Sequence, residues 1–428
     1  MVNSINQIIE LIMIEFPNFL NKIFDKLEQN GAKPIIIGGF IRDFLLNIDS
    51  DDIDIEVYNV SSFEILENIL KEFGSINSVG KSFGVCKLRI KDYVLDFTLP
   101  RIDSKIAFGH SGFEIKIDKN LNFVTAARRR DFTMNTIGYD IINKAILDPF
   151  NGIEDLKNKT LKMVDSETFI EDPLRVLRAV QFCSRFNLKM DKELFILCKS
   201  MIKENMLSEL AKERVYQEIK KNLLKSKRPS LGFELLKKLG ALKYFPSLET
   251  LHDKNWSRSM AAIDKIASLR ITNKRTNEVL MLASLCYKFT SSEINNFISK
   301  LSNDKALFNS IIVLQENLKT VVEICSKEIK NYDICKLATK VNIEELVILS
   351  EAIFGTGKII STKAKELNVL NEKLPAILLG RDLVASGMKP SSEFSKILDA
   401  AYEAQIHGEF SSKDEATKWL SSYLLNLQ

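Results

Sequence analysis

Histidine is scarce in this 428-residue chain: three residues, His110, His252 and His407, lie far apart. That argues against a histidine-built zinc site or a histidine-dependent triad. The six cysteines (Cys86, Cys183, Cys198, Cys286, Cys325 and Cys335) include no CxxC pair. They are expected to be reduced core thiols of a cytoplasmic protein. No apolar run approaches the ~18–20 residues needed to span a bilayer, so no membrane partner is expected. The opening MVNSINQIIELIMIEFPNFL places acidic residues within its apolar stretch and has no basic leader. It suggests an amphipathic first helix rather than a signal peptide. A net charge of +4 permits a polyanionic partner without requiring one. Internal repeats and low-complexity tracts are absent from the sequence.

What is present is ordinary globular material, with 45% hydrophobic and 27% charged residues, in a chain long enough for more than one domain. Residues 33–160 mix short strand-like runs (KPIIIGG, DIDIEVYNV, CKLRI, YVLDFTL) with the helical spacing of SFEILENILKEFG. PFNG at 149–152 is a turn that closes this region. From about residue 168 the period is almost purely helical, with Pro and Gly as punctuation. An α/β head followed by a long all-α region is the architecture expected.

SDDIDIEV, residues 50–57, sets acidic groups into a segment patterned as a buried strand. Alternate side chains share a face, so Asp52 and Asp54 project together while Ile53 and Ile55 enter the core. Two adjacent carboxylates repel unless a cation lies between them. Magnesium suits the place, since it takes one or two carboxylates together with phosphate oxygens. Upstream, IIIGGFIRDFLL predicts a strand, a turn at Gly38 and Gly39, and a helix from about Ile41. Such a turn lets a phosphate approach the backbone, and Arg42 can add a forked donor. The combination outlines a two-metal nucleotidyl-transfer site. Asp96 in YVLDFTLP is a plausible third acid on a neighbouring strand.

AARRRDFTMNTIGYD follows at 126–140. Arg130 could hold a triphosphate or pair with Asp131, and Asn135 has donors for a sugar hydroxyl. In IEDPLRVLRAVQF, residues 170–182, Asp172 caps a helix that starts with Pro173. Arg175 and Arg178 fall on the same side of that helix. Cytosine and adenine each present an amino donor beside a ring acceptor, whereas uracil and guanine present the reverse. A carboxylate at 172 beside a guanidinium at 175 therefore selects C and A. A mismatch leaves buried groups unpaired at ~1–3 kcal/mol each.

The stretches GGFIRD, DDIDIE, RRRDFTMNTIGYD and EDPLRVLRAVQFCSRF, with ERVYQEI downstream, resemble the bacterial (class II) tRNA nucleotidyltransferase and poly(A) polymerase family. The matching motifs run in order over roughly residues 34–250. The resemblance implies a polymerase-β-like head at 1–160, a nucleotide-selecting and tRNA-binding neck at 161–250, and an elongated helical body and tail at 251–428. It implies CCA addition to tRNA from CTP and ATP, with Asp52 and Asp54 as magnesium ligands. Gly39, Arg42 and Arg130 would contact nucleotide, Asp172, Arg175 and Arg178 would select it, and Glu171 would support their helix. It also implies a mobile loop near 103–112 and a tail, GRDLVASGMKPSSEFSKILDAAYEAQIHGEFSSKDEA, that helps hold tRNA. Lysines in KKNLLKSKRPS (220–230) are candidates to grip the tRNA acceptor arm. Two positions depart from the family pattern. Gln181 stands where some members have a further Arg, and Cys286-Tyr287-Lys288 stands where a metal-dependent hydrolase domain would have His-Asp. The second departure makes the region a scaffold without hydrolase chemistry. Partial CC- or A-adding enzymes and poly(A) polymerases share the head motifs and stay as alternatives; the paired Asp52 and Asp54 argue against a catalytically silent RNA-binding protein, and oligomeric state stays open.

Overall fold

A computed structural model describes residues 16–50, 52–77, 84–90, 93–105, 113–326 and 329–426. It divides into two compact units: residues up to Ser226 together with Leu231–Tyr244, and Lys227–Ser230 together with Phe245–Gln428. The first holds an α/β head with a mixed sheet, and helices make up the rest of the chain. The expected first helix falls largely on residues 1–15, outside the described residues.

The head is organised by a seven-stranded sheet. Its strands are β1 (Lys33–Ile37), β2 (Ile53–Tyr58), β3 (Ser75–Asn77), β4 (Val85–Ile90), β5 (Tyr93–Thr98), β8 (Gly138–Asp140) and β9 (Ala145–Leu147). They run in the order β3-β4-β5-β2-β1-β8-β9. The β2–β5 pair is parallel and the other pairs are antiparallel. The intervening β6 (Arg101–Lys105) and β7 (Phe113–Ile117) form a separate hairpin. Residues 103–105 of the expected mobile loop therefore belong to a strand, and 106–112 lie outside the described residues.

Alternation in β2 has the predicted sense. Ile53, Ile55 and Val57 are buried at 4% exposure or less, each contributing roughly 1.5–3 kcal/mol by leaving water. Asp54, Glu56 and Tyr58 take the opposite face. Helices α1 (Asn18–Gln29), α2 (Gly39–Leu45) and α3 (Phe63–Leu70) complete this part of the head. The second of these begins two residues earlier than the sequence suggests.

After α4 (Phe123–Arg128), a short 3-10 turn spans Thr133–Asn135. Next come α5 (Gly152–Lys157), α6 (Ser166–Ile170) and α7 (Leu174–Phe186), then α8 (Lys192–Lys203) and α9 (Lys212–Lys225). Helices α7 and α9 pack together. A two-residue parallel bridge, Thr160–Leu161 with Lys189–Met190, interrupts the helical run and carries no sequence period to reveal it.

In the second unit, helices Asp253–Ser268, Lys274–Leu285, Lys305–Cys325 and Ile343–Phe354 pack on one another. The last three helices, Gly380–Ala385, Glu393–His407 and Lys413–Leu425, close over Leu383, Ile397, Ala401, Phe410, Ala416 and Leu420. Cys286 is fully buried, and Tyr287 donates its hydroxyl to Asn255 Oδ1 at 3.1 Å.

The PFNG turn controls more than its own chain reversal. Asp148 accepts from the Gly152 and Ile153 amides at 2.7 and 2.9 Å, and Asp155 on α5 accepts from the Thr133 hydroxyl at 2.8 Å. A Cβ on Gly152 would lie 2.3 Å from the Thr133 carbonyl oxygen, a backbone atom that cannot swing aside. Gly152→Ala is therefore expected to destabilise the protein by about 1–3 kcal/mol, read as a lower unfolding midpoint in urea. An unchanged midpoint would show that the turn relaxes without cost.

Candidate active site

Parallel pairing sets Asp54 of β2 opposite Asp96 of β5, while antiparallel pairing sets Ile37, the last residue of β1, opposite Asp54. Gly38 follows at φ +69°, a left-handed conformation that suits glycine. The position where its Cβ would stand is 3.8 Å from Asp54 Oδ2. The turn thus brings bare backbone against the carboxylate. Asp52 precedes the first residue of β2 and is exposed.

The acids differ in charge environment. Burial pushes the Asp54 carboxyl up to about 6, with the negative charges of Asp52 and Asp96 adding to the effect. Asp96 is less crowded, because Lys87 on β4 bridges it at 2.6 Å. Among the described residues no three His, Cys, Asp or Glu side chains form a ready-made cage. A pair of carboxylates next to an open backbone turn nevertheless suits a divalent cation that completes its shell from phosphate and water.

The basic side of the site is built from buried pairs. Arg42 Nη1 donates to Asn135 Oδ1 at 2.6 Å, and its Nε and Nη2 donate to Asp43 Oδ1 at 2.8 and 2.7 Å. Asn135 Nδ2 donates to Asp131 Oδ1 at 2.8 Å. Arg178 donates to Asp131 Oδ2 through Nε at 2.7 Å and Nη2 at 2.6 Å. Arg185 closes on Asp43 Oδ2 at 3.0 Å. Two phenylalanines of α7 sandwich these cations: Arg42 lies over Phe182 and Phe186, Arg178 over Phe182, and Arg185 over Phe186. Burial would raise the Asp131 carboxyl, but Arg178 and Asn135 outweigh it and hold the group below the usual aspartate range.

Several expected donors are thus engaged within the protein. Both functional ends of the Asn135 amide are used, and the guanidinium of Arg42 is turned into Asp43 and Asn135. Arg130 pairs with Glu56 at 3.1 Å rather than with Asp131, whose partner is Arg178. Arg130 Nη1 is buried with no hydrogen-bond partner among the described residues.

Asp172 lies two residues before α7, with Pro173 rather than Asp172 at the cap position; its Oδ1 accepts from the Leu174 amide at 3.1 Å, and its Oδ2 pairs with Arg214 of α9 at 3.1 Å. Arg175 donates to two carbonyls, Thr168 O and Arg129 O, each at 2.7 Å. Gln181 is buried, and its Nε2 has no hydrogen-bond partner among the described residues.

Sequence reasoning did not single out Glu56, Asp43, Arg185 or Arg214. Glu56 alone had a readable signal: it continues the even-numbered face of Asp52 and Asp54. The other three are joined to their partners by long-range packing.

Residues 35–162 match the family described as Poly A polymerase head domain, and residues 187–251 match that described as probable RNA and SrmB- binding site of polymerase A. A CCA-adding enzyme from Francisella tularensis subsp. tularensis is 36% identical over 217 residues, 50% of this chain and 57% of that enzyme. The matched part thus spans little more than half of that relative. A CCA-adding enzyme from Lactococcus lactis subsp. lactis is 25% identical over 92% of this chain and 94% of its own length. A Thermotoga maritima CCA-adding enzyme solved in complex with tRNA superposes with a TM-score of 0.69 at 20% identity, covering 99% of this chain and 98% of that one. This last likeness establishes the fold.

The crowding at Asp54 has a stability consequence. Its folded-state carboxyl titrates near 6, above the ordinary ~3.9 of an unfolded chain. The cost of ionising it is fully present above pH 6 and is relieved as the pH falls toward 4. In EDTA at about pH 7.5, Asp54→Asn is expected to raise the melting temperature by a few degrees, a gain on the order of 2–3 kcal/mol. The gain should vanish near pH 4. Equal melting curves at both pH values would contradict the assigned environment.

Proposed function

We propose that this chain is a member of the tRNA nucleotidyltransferase and poly(A) polymerase family and that it adds C, C and A to the 3′ end of tRNA from CTP and ATP without a nucleic-acid template. The observation that carries this reading is the alignment of Asp54 with Asp96 beside the Gly38 turn, in the same compact unit as the Asp172–Arg175–Arg178 helix.

Asp52 and Asp54 would hold magnesium. When bound, the ion supplies a counter-charge for the triphosphate and acidifies the attacking RNA hydroxyl. Gly38 and Gly39 leave room for a phosphate to meet the backbone. Arg130 Nη1, buried and unpartnered among the described residues, is the donor available to a phosphate oxygen. Asp96 keeps its charge balanced through Lys87 and shapes the field around Asp54.

Selection falls to the start of α7. Asp172 spends acceptor capacity on Arg214 and the Leu174 amide, yet a carboxylate has about four acceptor sites. It can still take the amino group shared by cytosine and adenine. Arg175 supplies the ring-nitrogen donor by exchanging one of its two carbonyl partners. Gly39, Arg42 and Asn135 act by fixing this frame around the nucleotide, and Glu171 leads into it. Helix α9 and the turn after it, with Lys220, Lys221 and Lys225, would meet the tRNA phosphates. The second unit serves as an RNA-binding scaffold, its Cys286-Tyr287-Lys288 segment replacing hydrolase ligands with packing. Six unbridged cysteines suit a reducing, cytoplasmic setting.

A second reading, poly(A) polymerase, draws on the head-domain match. The test is one incubation of purified protein with tRNA lacking its CCA end and labelled CTP, ATP, UTP or GTP, singly and together. Addition that stops after C, C and A supports the proposal. Long A tracts would replace it with the second reading, C-only or A-only products with a partial enzyme, and no incorporation with an RNA-binding protein. Asp54→Ala should abolish incorporation and leave tRNA affinity nearly unchanged. Arg175→Ala should erode C and A preference over U and G by about 5- to 100-fold, the equivalent of ~1–3 kcal/mol. Intact preference in that variant would remove α7 from base selection.

A further inference from the structure

Glu56 is the most deeply buried charge among the described residues of the head, with 0% exposure in the middle of the central strand. A β-branched apolar residue would fill that place without the desolvation cost of a carboxylate, which runs to several kcal/mol. Its contacts account for its presence. Oε1 accepts from Arg129 Nη2 at 3.1 Å, and Oε2 accepts from Arg130 Nη2 at 3.1 Å and from the Tyr58 hydroxyl at 2.7 Å. Two guanidinium groups and one hydroxyl thus satisfy both oxygens of the buried carboxylate.

Each arginine held by Glu56 leads outward to a different part of the site. The Arg130 guanidinium, over the Phe123 ring at 5.6 Å, is fixed at one nitrogen by Glu56 and retains a second, Nη1, that is buried and has no partner among the described residues. Arg129 offers its main-chain carbonyl to Arg175 Nη2 at 2.7 Å. One carboxylate, two residues along the strand from Asp54, thereby touches the arginine placed for the triphosphate and the residue that seats Arg175.

We propose that Glu56 is a positioning residue, which holds Arg130 so that Nη1 faces a nucleotide phosphate and holds Arg129 so that its carbonyl seats Arg175. The inference rests on the nucleotidyl-transfer reading and deepens it. Tyr58 belongs to the same device, because its hydroxyl occupies the oxygen shared with Arg130 and limits rotation of the carboxylate.

The test uses full-length protein and tRNA lacking its CCA end. Glu56→Gln keeps the shape and removes the charge. It should raise KM for CTP about tenfold or more and weaken discrimination against UTP, with the magnesium dependence unchanged. Glu56→Gln/Arg130→Met should raise KM for CTP by clearly less than the product of the two single changes, since only the Arg129 arm of Glu56 is left to lose once Arg130 is removed. Multiplicative losses in the double variant would mark Glu56 as generally structural and overturn the proposal, as would wild-type KM in Glu56→Gln. If Glu56→Gln does not fold, Tyr58→Phe takes its place: a KM for CTP raised about twofold or more at unchanged melting temperature supports the proposal, and an unchanged KM overturns it. Absence of incorporation by the wild-type protein would instead defeat the parent reading, so the two failures are distinguishable.

Discussion

The Asp131 carboxylate is the point on which the geometry of the site turns. It receives Arg178 from α7 on one oxygen and Asn135 on the other, and Asn135 passes the constraint to Arg42 behind the double glycine. Arg42 and Arg185 then share Asp43. None of these groups would tolerate burial singly. Removing one partner from such a pair typically costs ~3–5 kcal/mol, because the survivor keeps its charge in a poor solvent for it. The chain of pairs therefore behaves as one unit, fixing α7 to the turn that carries Gly38. Phe182 and Phe186 stiffen it, since guanidinium groups stack on their faces.

The opposite pole of the site is built against stability. Asp54 stands among Asp52, Asp96 and a glycine turn in the left-handed region, and burial together with the two neighbouring acids raises its proton affinity. Such a pole persists only where the surrounding structure over-determines it. Here the isoleucines on the reverse face of β2 provide that support, since Ile53 and Ile55 are buried while the acids face the site. One strand thus carries both the stabilising and the destabilising half of the arrangement, and its alternation keeps them apart.

That alternation is also why so much was legible in the sequence. Period-two spacing put Asp54 on the face opposite Ile53 and Ile55, with Asp52 one residue ahead of the strand, a double glycine marked the turn, and Asp-Pro marked the start of α7. Each is a local rule, and the local elements follow it to within a residue or two. The charge pairs are a different matter. Nothing in the spacing of RRRDF indicates that Arg130 seeks Glu56 while Asp131 takes Arg178, because both choices depend on how β2, the turn after α4 and α7 come together. Asn135 illustrates the same limit: its donors are visible in the sequence, but their engagement by Asp131 depends on the 3-10 turn held by Asp155.

The two half-buried arginines of α7 differ in how firmly they are held, which bears on the nucleotide choice proposed for this helix. Arg178 is held by a carboxylate through two short bonds, a charge-assisted arrangement that is costly to leave. Arg175 is held by two neutral carbonyls, and a hydrogen bond between a charged donor and a neutral acceptor is worth only ~1.5–3 kcal/mol net. An incoming base edge that offers a ring nitrogen in place of one carbonyl asks for an exchange of like for like. The same offer to Arg178 would leave Asp131 buried and unpaired. Of the pair, Arg175 is held by neutral partners and Arg178 by a carboxylate, so the base reading proposed for this helix falls to Arg175 and the bracing to Arg178.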